Sequence, residues 1–391
     1  MNESRQKIPI LLKLKRAKNS PFVNKLNNLL SKLKPRKSFN GIPQRILLIR
    51  NDRIGDAVVT LPVIESIKLN YPEMKVDVLA SSKNKFVFEK SGYVDDIIVL
   101  DWAEERSGIV KQFFDESFKV TARGLKYREY DAVIDLVGLK RNILLSKYLS
   151  GFTVGPRKLG VYVQYDYYGD SNWVTLSDED NMTSKVEAVI KEALNLTFEK
   201  KPLPTGFIKQ ESYEYDVIIH LGSTPLRKLP AQKEDSLVGL FSNYKVLVTD
   251  AKDNENFSRL KNEYGKEAGI PFRLFDSLDE LAEECMKTRV LICYDGGQAH
   301  YLSRFVRTVT IFGPGSVELW KPYDAAGYEL LEEDSAGVKA LISGGSYRHI
   351  VIYYPIWCRP CFDVGCESVL CLSMINPDFI HYIVKKYALD S

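Results

Sequence analysis

Arg45-Ile-Leu-Leu-Ile-Arg50 runs directly into Asn51-Asp-Arg-Ile-Gly-Asp56, and that into Ala57-Val-Val-Thr-Leu-Pro62. The first stretch is a strand-length apolar run ending in charge. The second is a polar turn with one glycine, and Asp56–Lys68 then reads as a helix. The same alternation continues with strands at Val76–Ala80, Ile97–Leu100 and Ala132–Leu136, separated by helical stretches. This is the pattern of βαβ units on a parallel sheet. The rhythm is lost in a Gly-, Tyr- and Asp-rich stretch at 151–180, a helix follows at about 183–196, and Lys201-Pro-Leu-Pro-Thr-Gly206 reads as a linker. A second series then begins, with strands at Asp216–His220, Val246–Thr249, Val290–Tyr294 and Val309–Phe312. Helices are expected between them near 233–242, 254–264, 278–287 and 298–304, and a last one at Asp378–Lys386. Two α/β domains in series imply a cleft between them.

The chain's 391 residues exceed what one core usually serves, which agrees with two domains. Apolar residues at 45% and charged ones at 27% exclude wholesale disorder. No run approaches the roughly 20 apolar residues of a membrane-spanning helix. Met1-Asn-Glu-Ser-Arg has no apolar signal core, and six cysteines without one fit a reducing cytosol, so a cytoplasmic protein is expected.

The net charge of +3 is unevenly spread. Residues 1–37 hold eight Lys and three Arg against Glu3 alone, while the remainder has 43 bases and 50 acids. Ser20-Pro21 opens a helical pattern in which Phe22, Leu26, Leu29, Leu30 and Leu33 share a face among lysines. Such an arm suits an anionic inner-membrane surface, or equally packs its leucines on the body or stays disordered. Nucleic acid is not expected as a partner, because the arm is poor in aromatics and no recognised module follows.

Ligands of parallel α/β sheets bind at the C-terminal ends of strands, and that rule selects four loops. In Arg50–Asp56, Asp56 can serve as a general base, or simply as a first-turn acid. This loop has neither the G-x-G-x-x-G of dinucleotide binders nor a P-loop G-K-[ST]. In His220-Leu-Gly-Ser-Thr-Pro-Leu-Arg-Lys-Leu-Pro230, Gly222, Ser223, Arg227 and Lys228 suit a diphosphate. In Cys293-Tyr-Asp-Gly-Gly-Gln-Ala-His300, Gly296 and Gly297 offer amides to an anion, with Asp295 and His300 beside them. The fourth is the Gly/Pro loop Phe312-Gly-Pro-Gly-Ser-Val-Glu-Leu-Trp-Lys-Pro322.

In their order and spacing, Ile-Gly-Asp56-Ala-Val-Val-Thr-Leu-Pro62, the His-x-Gly-Ser loop with Arg-Lys-x-Pro230, Asp295-Gly-Gly-x-x-His300 and Phe312-Gly-Pro…Trp320-x-Pro322 resemble the ADP-heptose:lipopolysaccharide heptosyltransferases, glycosyltransferase family 9. The resemblance covers about residues 45–385. It implies a GT-B fold, two Rossmann-like α/β domains facing across a cleft. The divisions are then a basic arm at 1–40, an acceptor domain at 41–205, a nucleotide-sugar domain at 206–375 and a C-terminal helix at 376–391. It further implies a metal-independent, inverting transfer of heptose from ADP-heptose to a lipopolysaccharide core hydroxyl, with no required cofactor. Asp56 is then the base, and Gly222, Ser223, Arg227, Lys228, Asp295, Gly296, Gly297 and His300 surround the donor, with Glu255 on the ribose. Two positions depart from the family pattern: Gly296 replaces a hydroxyl residue and Leu229 a tryptophan. Another nucleotide sugar, a protein acceptor or a catalytically silent sugar-nucleotide-binding protein are the alternatives.

Cys358-x2-Cys361-x4-Cys366-x4-Cys371 has spacing that can hold a structural zinc or iron, although related transferases often carry cysteines in this stretch, so the resemblance alone could account for them. Asp178-Glu-Asp180 imitates a metal-binding D-x-D but reads as a solvated acidic turn.

Overall fold

The structure is a computed structural model that describes residues 39–101, 116–156, 167–169, 173–174, 181–199, 212–345, 348–361, 366 and 368–390. The basic arm, Asp178–Asp180 and the expected linker at 201–206 lie outside those residues.

The first domain runs β1 (Arg45–Ile49), α1 (Ile54–Asn70), β2 (Lys75–Ala80), α2 (Lys85–Glu89), β3 (Asp96–Val99), α3 (Glu116–Lys126), β4 (Ala132–Asp135), α4 (Lys140–Leu149), β5 (Thr153–Pro156), β6 (Tyr167–Gly169), β7 (Trp173–Val174) and α5 (Met182–Leu194). Its sheet has the order β3-β2-β1-β4-β5-β6-β7. Pairing is parallel as far as β5 and antiparallel beyond it. The last strands fall inside the stretch where the sequence rhythm fails.

The second domain runs β8 (Tyr215–His220), α6 (Ala231–Leu240), β9 (Val246–Asp250), α7 (Glu255–Leu260), β10 (Phe272–Leu274), α8 (Leu278–Cys285), β11 (Thr288–Tyr294), α9 (Gly297–Leu302), β12 (Thr308–Phe312), α10 (Val317–Trp320), β13 (Tyr328–Glu333), β14 (Lys339–Ser343), β15 (Ile350–Tyr353), α11 (Leu370–Ser373) and α12 (Pro377–Val384). Its order is β10-β9-β8-β11-β12-β15-β14-β13, parallel through β15, with β14 and β13 added antiparallel. The terminal helix α12 is part of this core, with Ile380, Ile383 and Val384 fully buried.

Helix α1 is the element that joins the halves. Residues Gly55–Ile67 are all buried, so its sequence is apolar around most of its circumference. It lies on its own sheet, on α5, and on α9 of the second domain. Pro62 cannot donate within the helix, and its own carbonyl accepts a bond from Ser66 Oγ at 2.6 Å. Phe86 of α2 packs edge-on to Tyr301 of α9 at 5.1 Å, and Lys90 pairs with Asp279 at 2.9 Å across the same seam.

Candidate active site

Two sheets bring their C-terminal strand ends to this seam. On the first, β1 leads directly into Arg50, which is only 2% exposed and built into the base of α1. Its Nε donates to Thr60 Oγ1 at 3.0 Å, and its Nη1 donates to the Leu136 carbonyl at 3.1 Å and to Asp52 at 3.2 Å. The same Nη1 lies 3.8 Å from Asp56 Oδ1. Thr60 Oγ1 in turn donates to the Asp56 carbonyl at 2.8 Å. One guanidinium therefore faces two carboxylates.

That ratio sets the ionisation of Asp56. Burial removes water from the carboxylate and Asp52 adds a second negative charge, while Arg50 and Arg53 offset only part of this, so the pKa rises to about 7. Such a carboxyl is poised between its two protonation states near neutrality, the condition a general base requires. Asp135, at the end of neighbouring β4, is raised to about 6 by burial, although Gly138 N–H, Val137 N–H and Asn142 favour its charged form. Asn51 Nδ2, Asp52 Oδ1 and Asp135 Oδ2 are buried here without a hydrogen-bond partner. Polar groups left so at strand ends are the kind a hydroxylated ligand or water satisfies.

The raised pKa carries a stability cost of known sign. Below about pH 4 the carboxyl is protonated in folded and unfolded chains alike and costs nothing extra. Between 3.8 and about 7 the unfolded chain has lost the proton that the folded one keeps, so stability falls as pH rises. Asp56→Asn is therefore expected to stabilise the protein at about pH 8 and to have little effect near pH 4. Urea unfolding at the two pH values checks this.

On the second sheet the loops after β8, β11 and β12 converge. Gln298 Nε2 donates to the Gly222 carbonyl at 2.9 Å, tying the first loop to the second. Arg227 Nη1 donates to the Asp295 carbonyl and lies 3.4 Å from its Oδ2. A Cβ on Gly315 would meet that same Asp295 oxygen at 2.5 Å, so the third loop closes on it too. A Cβ on Gly222 would strike the His220 ring at 2.6 Å and Ala251 N at 2.9 Å, which accounts for glycine there. A Cβ on Gly296 would meet Gln298 Oε1 at 2.5 Å. The departure from a hydroxyl residue at 296 thus goes with Gln298 filling that space.

His300 is 4% exposed, packs edge-on to Trp320 at 5.9 Å, and is depressed to about 4 by burial and then by Arg227. Its imidazole is neutral at physiological pH. Asp295 is shifted up by burial against the pull of Arg227 and Arg359. Lys228 is held 3.4 Å from Asp250 and 3.8 Å from Glu234, so buried acids take up its charge in this structure. Glu255 stands exposed in the first turn of α7 after β9, at some remove from these contacts. Ser223 is half-buried in its loop, and Leu229 is a buried core residue.

The halves touch through glycine. A Cβ on Gly55 would lie 3.1 Å from His300 Cδ2 and 3.3 Å from Gly297 Cα, and one on Gly297 would lie 3.1 Å from Gly55 N. The residue before Asp56 thus abuts the Gly297–His300 turn, and Arg227 flanks that turn from the other side. Sequence reasoning named Asp56, Gly297 and Arg227, but not the positioning roles of Arg50, Gln298 and Gly315. A charged residue closing an apolar strand was the one visible sign for Arg50.

All six cysteines are free thiols. Cys358, Cys361, Cys366 and Cys371 line one cavity with Leu226, Pro314 and Arg359, next to the Arg227 loop. Among the described residues no three His, Cys, Asp or Glu side chains are placed to hold a metal ion.

The two halves, each a Rossmann-like sheet with its strand ends turned to a shared seam, define the GT-B class. Within that class the structural neighbours are heptosyltransferases. E. coli heptosyltransferase WaaC with ADP superposes with a TM-score of 0.62 at 15% identity, covering 88% of this chain and 99% of that one. A glycosyl transferase family 9 structure from Veillonella parvula gives 0.63 at 17% identity over 89% and 98%. E. coli ADP-heptose lps heptosyltransferase II gives 0.59 at 16% identity over 88% and 99%. A curated protein of Haemophilus influenzae, described as a putative glycosyltransferase, is 23% identical over 160 residues, 40% of this chain and 41% of that protein. The chain thus spans about two-fifths of the length of that curated relative. No protein-family model matches. Among the described residues no helix is long and apolar enough to cross a membrane.

Proposed function

We propose that the protein is an inverting, metal-independent glycosyltransferase that moves heptose from ADP-heptose to a hydroxyl of a lipopolysaccharide core. The observation that supports this most is the contact of Gly55 with Gly297 and His300, which sets Asp56 beside the loop that Arg227 flanks. In this reading the Asp56 carboxylate takes the proton of the acceptor hydroxyl. The oxygen then attacks the anomeric carbon from the face opposite the leaving group. The bond to the β-phosphate breaks, and its electron pair leaves with ADP. Arg227 and the amides of Gly296 and Gly297 would meet the charge that develops on the diphosphate. His300, neutral and walled by Trp320, would keep water from that side. The E. coli WaaC structures with ADP and with ADP-2-deoxy-2-fluoro heptose make ADP-heptose the first donor to test.

The test is a donor screen on purified protein with ADP-heptose, UDP-sugars and GDP-sugars, reading thermal shift and nucleotide release in EDTA with a core oligosaccharide acceptor. ADP-heptose is expected to raise the melting temperature and release ADP. A response confined to a UDP- or GDP-sugar overturns the donor, and binding without release under every condition overturns the enzyme.

Asp52 provides a second test through pH. The rate should rise with pH as Asp56 ionises, with its acidic limb near 7. Asp52→Asn removes a negative neighbour, lowers the Asp56 pKa, and shifts that limb to lower pH. A limb that stays in place means that Asp56 is not the group titrating.

A further inference from the structure

Helices α3 and α4 cover the face of the first sheet opposite α1. Inward they bury Phe118, Ala122 and Leu125 from α3, and Leu145 and Leu149 from α4, against Leu47, Ile49 and Val133. Their outward sides should then be polar. Instead they carry Val120 at 64% exposure, Tyr127 at 87%, Leu144 at 51% and Tyr148 at 50%. Val120, Arg123 and Tyr127 stand at helical spacing along one stripe, and Leu144, Lys147 and Tyr148 along another. Lys126 joins the stripes: its Nζ lies 5.6 Å from the Tyr148 ring centre and donates to the Leu149 carbonyl at 3.3 Å. Lys119 adds a fourth cation, and Glu116 is the sole acid in the sequence of the two helices.

We propose that this α3–α4 face docks the protein on an anionic lipid bilayer. Aliphatic side chains of this size reach the acyl boundary, tyrosines sit at headgroup level, and Lys and Arg meet lipid phosphates. Charge decides against the other occupants. The N-terminal arm has eleven basic residues to one acid, and a second copy would oppose the same cations, so either would repel this face. Nucleic acid would gain nothing from Val120 and Leu144, which cannot stack on bases. The proposal rests on this surface and not on the transferase reading.

The test is a lipid titration of the full chain, by flotation, with phosphatidylglycerol-containing vesicles and with phosphatidylcholine vesicles alone. Binding is expected to the anionic vesicles only. Leu144→Ser/Tyr148→Ser should lower the partition coefficient at least tenfold, about the cost of keeping two such side chains in water. Lys126→Ala/Lys147→Ala should lower it roughly fivefold for each cation removed. Leu330→Ser, equally exposed on β13 of the other domain, should leave it unchanged. Absence of binding, equal binding to both vesicles, or full binding by both double variants overturns the proposal. The last result would assign attachment to the arm.

Discussion

Asp56→Ala is expected to cut turnover by about a thousandfold while leaving ADP affinity within about twofold, the range lost when a positioned base is removed. Asp56 sits in the first turn of α1 on the first domain, whereas every group suited to the diphosphate belongs to the second. Its loss should therefore fall on the chemical step and spare nucleotide binding. Asp56→Asn, nearly the same shape but unable to take a proton, should be as inactive and more stable near neutral pH. Single-turnover kinetics with calorimetric ADP binding separates the two effects. Turnover within tenfold of wild type would remove Asp56 from the chemistry, and a parallel loss of ADP binding would make it a structural residue.

Arg227→Ala should weaken ADP binding about tenfold to thirtyfold, with a comparable loss in kcat/KM. A charge-assisted hydrogen bond to an anion contributes about 1.5–3 kcal/mol, and the lower end applies because this side chain is 35% exposed and partly screened. The substitution also takes from buried Asp295 the cation 3.4 Å away, leaving Arg359. Arg227→Lys should recover part of the affinity, since charge returns but the planar fork does not. ADP affinity unchanged in Arg227→Ala would leave the diphosphate without its principal cation and undo that assignment.

The parts of this architecture that repeat a local pattern were readable from residues alone. The apolar run at Ile46–Ile49, its glycine turn and the helix after it appear as expected, as do the central strands of the second domain. What escaped reading depends on partners far along the chain. Strands β5–β7 are short and β13 is largely exposed, and they form because a neighbouring edge offers hydrogen bonds. Arg50 looks like the end of a strand until Thr60 and the Leu136 carbonyl are placed around it. Gly55 reads as a turn glycine and Gly297 as an amide offered to an anion. Their common reason is that each leaves room for the other across the seam. Glu255, which the resemblance assigns to the ribose, stands exposed in the first turn of α7. Cys358, Cys361, Cys366 and Cys371 line one cavity, a juxtaposition set by the loops that carry them.

Binding of ADP to crystals of the full chain tests most directly whether the two strand-end clusters serve one reaction. The β-phosphate should lie about 3 Å from Arg227 and the Gly296–Gly297 amides, with its free oxygen directed toward the Asp56 side of the seam. ADP lodged elsewhere, or a diphosphate screened from Asp56 by protein, would contradict the account.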